Sequence, residues 1–154
     1  MKLISAGRNK LILQLGKREK HLLFELLKLY PRIPPAHHKL TKSSQVPDQE
    51  ASQKLLDEAL AEQRAENKQQ LQALLADPAR TQESEAGWRL SLSRGDLEWL
   101  LQVLNDIRVG SWILLGSPEP KLELKALTQK TAPDFWAMEL AGEFEMALLG
   151  ELGG

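Results

Sequence analysis

The chain has 154 residues and a mass of 17.3 kDa, the size of one ordinary domain, and its 42% apolar content is enough to build a core. It holds no cysteine, which removes disulfides, thiolate metal sites and cysteine nucleophiles together. The net charge of −1 is unevenly spread: residues 1–46 carry ten Lys/Arg against Glu19 and Glu25, a balance of +8, and residues 47–154 carry ten against nineteen acids, a balance of −9.

Met1 to Lys10 is polar where a signal peptide needs an apolar stretch. The longest apolar-looking stretch, Val109 to Gly116, is far short of the ~20 residues that cross a bilayer. The expectation is a soluble, cytoplasmic protein with no membrane partner, a single domain over 1–154.

In chain order, residues 2–15 read as a β-hairpin. Leu3-Ile4 and Leu11-Ile12-Leu13 flank the turn residues Gly7 and Asn9, and Leu11, Leu13 and Leu15 share one face. Lys17 to Tyr30 reads as a helix, with Leu22, Leu23, Leu26, Leu27 and Tyr30 at helical spacing. Pro31 ends it, since proline lacks an amide hydrogen and disfavours helix at the residue before it. Residues 31–46 form a basic, proline-containing loop, and Pro47 opens a helix to about Ala76.

The apolar face of that helix is thin, with Leu55, Leu56, Ala59 and Leu60 early and Leu71, Leu74 and Leu75 late, so the polar helix over 47–76 is either half docked and half solvated or leaves the body as an arm. Residues 77–86 read as a polar connector. Residues 88–92 alternate as a strand, Ser93 to Asp96 is a capping box, and the helix it opens runs to about Leu115. Lys121 to Lys125 alternates as a short strand. Thr131 to Asp134 is a second capping box, opening a last helix to about Leu152.

The fold class is therefore mainly α with a small antiparallel β-sheet, an α+β protein of about four helices. An offset of 77 residues aligns Leu13 with Leu90, Leu15 with Leu92, Glu19 with Asp96, Leu23 with Leu100 and Leu27 with Leu104. This suggests two strand–helix units related by a pseudo-twofold axis, with three strands in the sheet.

The last two long helices are apolar almost all round, which means they are central or covered by a partner; a homodimer is the expectation. Gly110 and Gly142 lie inside them. A mid-helix glycine costs about 1 kcal/mol relative to alanine and usually marks a close approach, so the two helices are expected to cross there, with Gly142→Leu disrupting folding.

Asn105, Asp106 and Arg108 interrupt the apolar pattern and read either as a satisfied polar core or as a ligand site. Arg32, His37, His38, Lys39 and Lys42 are the candidate partner surface. Glu139 and Glu143 stand one turn apart and read as a solvated stripe rather than a metal site, since no Glu-x-x-His motif accompanies them. No glycine-rich phosphate loop, nucleophile elbow or His-Glu-x-x-His motif is present. Accordingly no metal, cofactor or catalytic residue is expected.

Lys10 to Leu15 followed by Glu19 and Leu22-Leu23, then Trp99 to Arg108, then Glu139 to Leu148, resembles the bacterial domain-of-unknown-function family two-thousand-seventeen. The resemblance lies outside residues 31–86, which look longer and more charged than that family's pattern. It implies a mostly helical bacterial domain with no established activity, some members being encoded near the Clp protease adaptor. The functional expectation is a bacterial interaction or adaptor-like module with an unidentified protein partner. Nucleic-acid association through residues 8–42, and a small enzyme or ligand-binding domain around Asn105, Asp106 and Arg108, are the alternatives.

Overall fold

A computed structural model describes residues 1–34, 49–119 and 124–153. Strands β1 (Lys2–Ala6) and β2 (Leu11–Leu15) form the expected hairpin, followed by helix α1 (Lys17–Leu27) and the long helix α2 (Gln49–Ala76). A second hairpin, β3 (Thr81–Ser84) and β4 (Gly87–Leu92), leads into α3 (Arg94–Leu114), and α4 (Ala132–Gly153) closes the described fold. The sheet is antiparallel throughout, in the order β1-β2-β4-β3.

Alternation decides which face of the sheet is covered. Leu11, Leu13, Leu15, Leu90 and Leu92 point one way and are buried, whereas Gln14 and Ser91 on the other face are only half-buried and Arg89 is exposed. Helices α1 and α3 lie over the apolar face and add Leu23, Leu27, Leu100, Val103, Leu104 and Ile107 to a continuous core. Each fully buried leucine is worth about 1.5–3 kcal/mol relative to exposure, so this layer dominates the favourable side of folding.

The repeat at 77 residues has a geometric counterpart in the sheet. Leu13 stands directly opposite Leu90, its own equivalent, and the pair Leu11–Leu92 is exchanged with the pair Leu15–Trp88 by the same offset. A local two-fold axis therefore passes between β2 and β4 at Leu13 and Leu90, and each half reads strand, strand, helix, helix. The repeat reaches the second helices too: α2 ends at Ala76 and α4 at the equivalent Gly153. Asn67 and Leu71, buried on α2, are equivalent to Phe144 and Leu148, buried on α4.

Several expectations need correction. The polar connector 77–86 contains a strand, so the sheet has four strands and not three. Thr81–Ser84 has no apolar residue to reveal it; backbone pairing with β4 alone makes it a strand. Of the alternating stretch 121–125, residues 121–123 lie outside the described residues, and Leu124–Ala126 forms a 3-10 turn.

At the start of α4 the Thr131 amide donates to the Thr128 hydroxyl and the Asp134 carboxylate accepts from Arg32, so these bonds replace the return bond from the Thr131 amide to Asp134 that the box drawn from sequence needs. The box at Ser93 and Asp96 does form, with both hydrogen bonds present. Helix α1 is shorter than the Lys17–Tyr30 reading, ending at Leu27 in a turn that brings Tyr30 to the cis bond before Pro31.

Candidate functional site

Two places gather the sequence-predicted residues. The first is a polar knot around residues 30–33, where the chain leaves α1. The Asp106 carboxylate on α3 accepts from the Arg32 amide at 2.6 Å and from the Ile33 amide at 3.4 Å. The Arg32 guanidinium donates to Ser111 on α3, itself fully buried, and pairs with Asp134 on α4 at 2.8 Å. From α2, Arg64 donates to the Ile33 carbonyl, and buried Asn67 donates to the Tyr30 hydroxyl while accepting from Gln63.

Burial raises the Tyr30 pKa above its ordinary value, the Asn67 hydrogen bond opposing it, so the phenol stays protonated at neutral pH. Three helices thus hold one short segment through charge-assisted hydrogen bonds, each worth about 1.5–3 kcal/mol. The knot consumes its polar groups internally.

This changes two readings. Arg32, expected on a partner surface, is spent inside the fold. Gly110 is needed for the knot and not for a helix crossing: a Cβ there would stand 2.5 Å from the Arg32 backbone and 2.6 Å from the Ile33 amide nitrogen. Gly142 does face α3, but a Cβ would meet only the Arg108 Cδ, at 3.6 Å, an ordinary contact. His37, His38, Lys39 and Lys42 lie outside the described residues.

The second place is an open groove of about 810 Å³ along α3 and α4. Arg108 and Trp112 line it from α3, Met138, Glu139, Gly142, Glu143 and Met146 from α4, and Pro118 and Glu119 from the chain beyond α3. The end of α3 explains how those last two arrive. Gly116 adopts φ +88°, and the amides of Gly116 and Ser117 return to the carbonyls of Ile113 and Trp112. That is a Schellman ending, which favours glycine at the left-handed position. The chain then doubles back, and Trp112 Nε1 donates to the Pro118 carbonyl at 3.3 Å.

The trio Asn105, Asp106 and Arg108 divides between these places. Asp106 belongs to the knot. Arg108 donates to Asn105 at 2.8 Å, both exposed on one side of α3, and its Nε stands 3.4 Å from Glu145. Burial pushes the Glu145 carboxyl above the ordinary carboxylate range, and the Arg108 charge opposes it only in part. The three do not converge on one point as a binding site for a small polar ligand would require. Among the described residues no group of three His, Asp or Glu side chains is placed to hold a metal ion. No described helix is long and apolar enough to cross a membrane.

The groove was missed in the sequence, although its signal is there: Met138, Gly142 and Met146 recur every four residues on α4, as Arg108 and Trp112 do on α3. Gly142, without a side chain, leaves the space between the two methionines open. Helix α4 also exposes Trp136 at 52% and Leu149 at 54%, and Met146 is 76% exposed. Among these, Met146 lines the groove, and an open groove with apolar lining is a candidate interaction surface.

No protein-family model, curated protein or solved structure matches the chain.

Proposed function

We propose that this protein is an interaction module of the adaptor type, which holds a segment of a protein partner in the groove between α3 and α4. The observation that carries the reading is the groove itself, open and lined by Trp112, Met138 and Met146, the last of them largely exposed. Methionine suits such a surface because its unbranched, polarizable side chain adapts to the shape laid against it. A groove between two helices is a common receptor for a partner's helix.

The alternatives draw less support. Nucleic-acid binding by residues 8–42 loses Arg32 to the knot, and the rings beside the basic helix, Phe24 and Trp88, both stack on Lys20, at 4.6 and 4.3 Å. A ligand site at Asn105, Asp106 and Arg108 loses Asp106. Self-association has a specific observation in its favour, since Trp136, Met146 and Leu149 would also suit a homodimer face.

The test is affinity capture from the native cell with the wild-type chain and with Gly142→Leu, which adds a side chain in the groove lining at a position where a Cβ meets only the Arg108 side chain. A specific partner retained by the wild type, resistant to nuclease and lost with Gly142→Leu, is the expected result. Equal retention by a folded Gly142→Leu would place the interaction elsewhere. Sedimentation velocity over a wide concentration range decides the homodimer.

A further inference from the structure

We infer that the groove takes a basic amphipathic helix of a partner protein, one that lays an apolar stripe on Trp112, Met138 and Met146 and carries lysine or arginine along its flanks. This rests on the interaction reading above and adds the chemistry of the partner. The charged residues that line the groove are mostly acidic, Glu119, Glu139 and Glu143 against Arg108. Glu119, from the chain beyond α3, and Glu143, from α4, are both exposed. Arg108, the cation among the lining residues, is held by Asn105 and Glu145.

The apolar floor matches a helix in length. Met138 to Met146 spans about 12 Å at 1.5 Å per residue, room for anchors at i, i+4 and i+7 of a docked helix. Acidic residues lining such a groove favour cationic flanks and repel acidic ones, which sets partner choice and on-rate more than affinity.

A second copy does not supply this helix from its described residues. Its basic helix, α1, exposes Lys17, Arg18, His21 and Lys28, but Leu23, Leu26 and Leu27 are buried in its own core. Its exposed Leu55, on α2, is followed by Asp57 and Glu58, which the acidic lining would repel. One helix has the charge and the other the apolar residue; the groove asks for both together.

The experiment uses the full chain and three fluorescein-labelled helical peptides of equal length. The first has leucine at i, i+4, i+7 and i+11 with lysine elsewhere. The second keeps the leucines and replaces lysine by glutamate, and the third permutes the first so that no stripe remains. By fluorescence anisotropy at moderate salt, the first should bind at least tenfold more tightly than either control. The double variant Glu119→Lys with Glu143→Lys should weaken it about tenfold and tighten the glutamate peptide.

Equal binding of the permuted peptide would reduce the effect to general cation attraction and overturn the inference. Equal or tighter binding of the glutamate peptide would overturn it while leaving the groove an interaction site. A concentration-dependent dimer abolished by Met146→Glu, with no peptide bound, would make a second copy the occupant and overturn it too. A monomer that binds none of the peptides, and whose cellular partners are unchanged by Gly142→Leu, would sink both this inference and the reading beneath it.

Discussion

The two halves of the chain share a plan and part where the first helix of each half ends. Pro31 and Arg108 are equivalent under the 77-residue offset. In the first half proline ends α1 at Leu27, and the chain beyond it crosses to α3, where Asp106 and Gly110 receive it. In the second half arginine lets α3 run on to Leu114, giving α4 a long partner to pack against. The same comparison holds for the second helices. Asn67 meets a tyrosine hydroxyl where its equivalent, Phe144, joins the apolar core, and α2 buries residues only in its C-terminal half where one face of α4 is buried from Phe135 to Leu148. The lesson is that the sheet and the first turns of α1 and α3 carry the common fold, while the length of the first helix decides whether a groove exists beside it.

The largest effect should come from the axis itself. Leu13→Ala and Leu90→Ala each remove a side chain that is at most 3% exposed, from directly opposed positions. Each should cost about 2–5 kcal/mol in a denaturant titration, and the two costs should agree within about 1 kcal/mol if the environments are equivalent. The double variant should cost less than the sum, because the two leucines face one another. A large difference between the single variants would break the two-fold comparison at its centre.

A smaller effect separates the roles of the two helical glycines. In Gly110→Ala the new methyl meets the backbone of Arg32 and Ile33, which Asp106 holds in place, so the segment must shift. The expected loss is about 1–3 kcal/mol, the usual cost of overpacking. Gly142→Ala meets only the flexible Arg108 side chain, and should be neutral or gain up to about 1 kcal/mol from helix propensity. Thermal unfolding of the two variants side by side checks the sign of the difference. Equal losses would restore the helix crossing expected from the sequence.

How much of this was legible in the sequence depends on where the information lies. Strands β2 and β4 and the four helices were visible because alternation and 3.6-residue spacing are local, and the offset of 77 was visible because buried leucines repeat at it. Strand β3 was not, since an edge strand of Thr-Gln-Glu-Ser is made by its neighbour's backbone and by no pattern of its own. The equivalence of α2 and α4 was hidden by the exchange of Asn67 for Phe144, a polar for an apolar residue at the same buried site. Arg32 read as surface because its partners Ser111 and Asp134 stand 79 and 102 residues away, and no local rule brings them together. The groove escapes because the all-round apolar pattern of α3 and α4 says only that they are central or covered by a partner, and does not separate buried Phe144 and Leu148 from exposed Trp136, Met146 and Leu149.

The smallest effect tests the comparison at the helix starts. Ser93 opens α3 with a complete capping box: its hydroxyl accepts from the Asp96 amide at 3.0 Å, and Asp96 accepts from the Ser93 amide at 2.9 Å. Gly16, the equivalent residue at α1, has no hydroxyl, so only the return bond exists, from the Gly16 amide to Glu19 at 3.0 Å. Ser93→Ala leaves an amide without its acceptor and should cost about 1 kcal/mol. Gly16→Ser should gain only a few tenths of a kcal/mol, because glycine is itself a fair cap. Its backbone, at φ −65° and ψ 163°, already suits serine, and the new Cβ must ease the Glu19 carboxylate aside from 3.3 Å. Denaturant midpoints measured for both variants would show a loss several times the gain. A Gly16→Ser loss as large as that of Ser93→Ala would mean that Glu19 cannot give way, and that the first half relies on glycine where the second relies on serine.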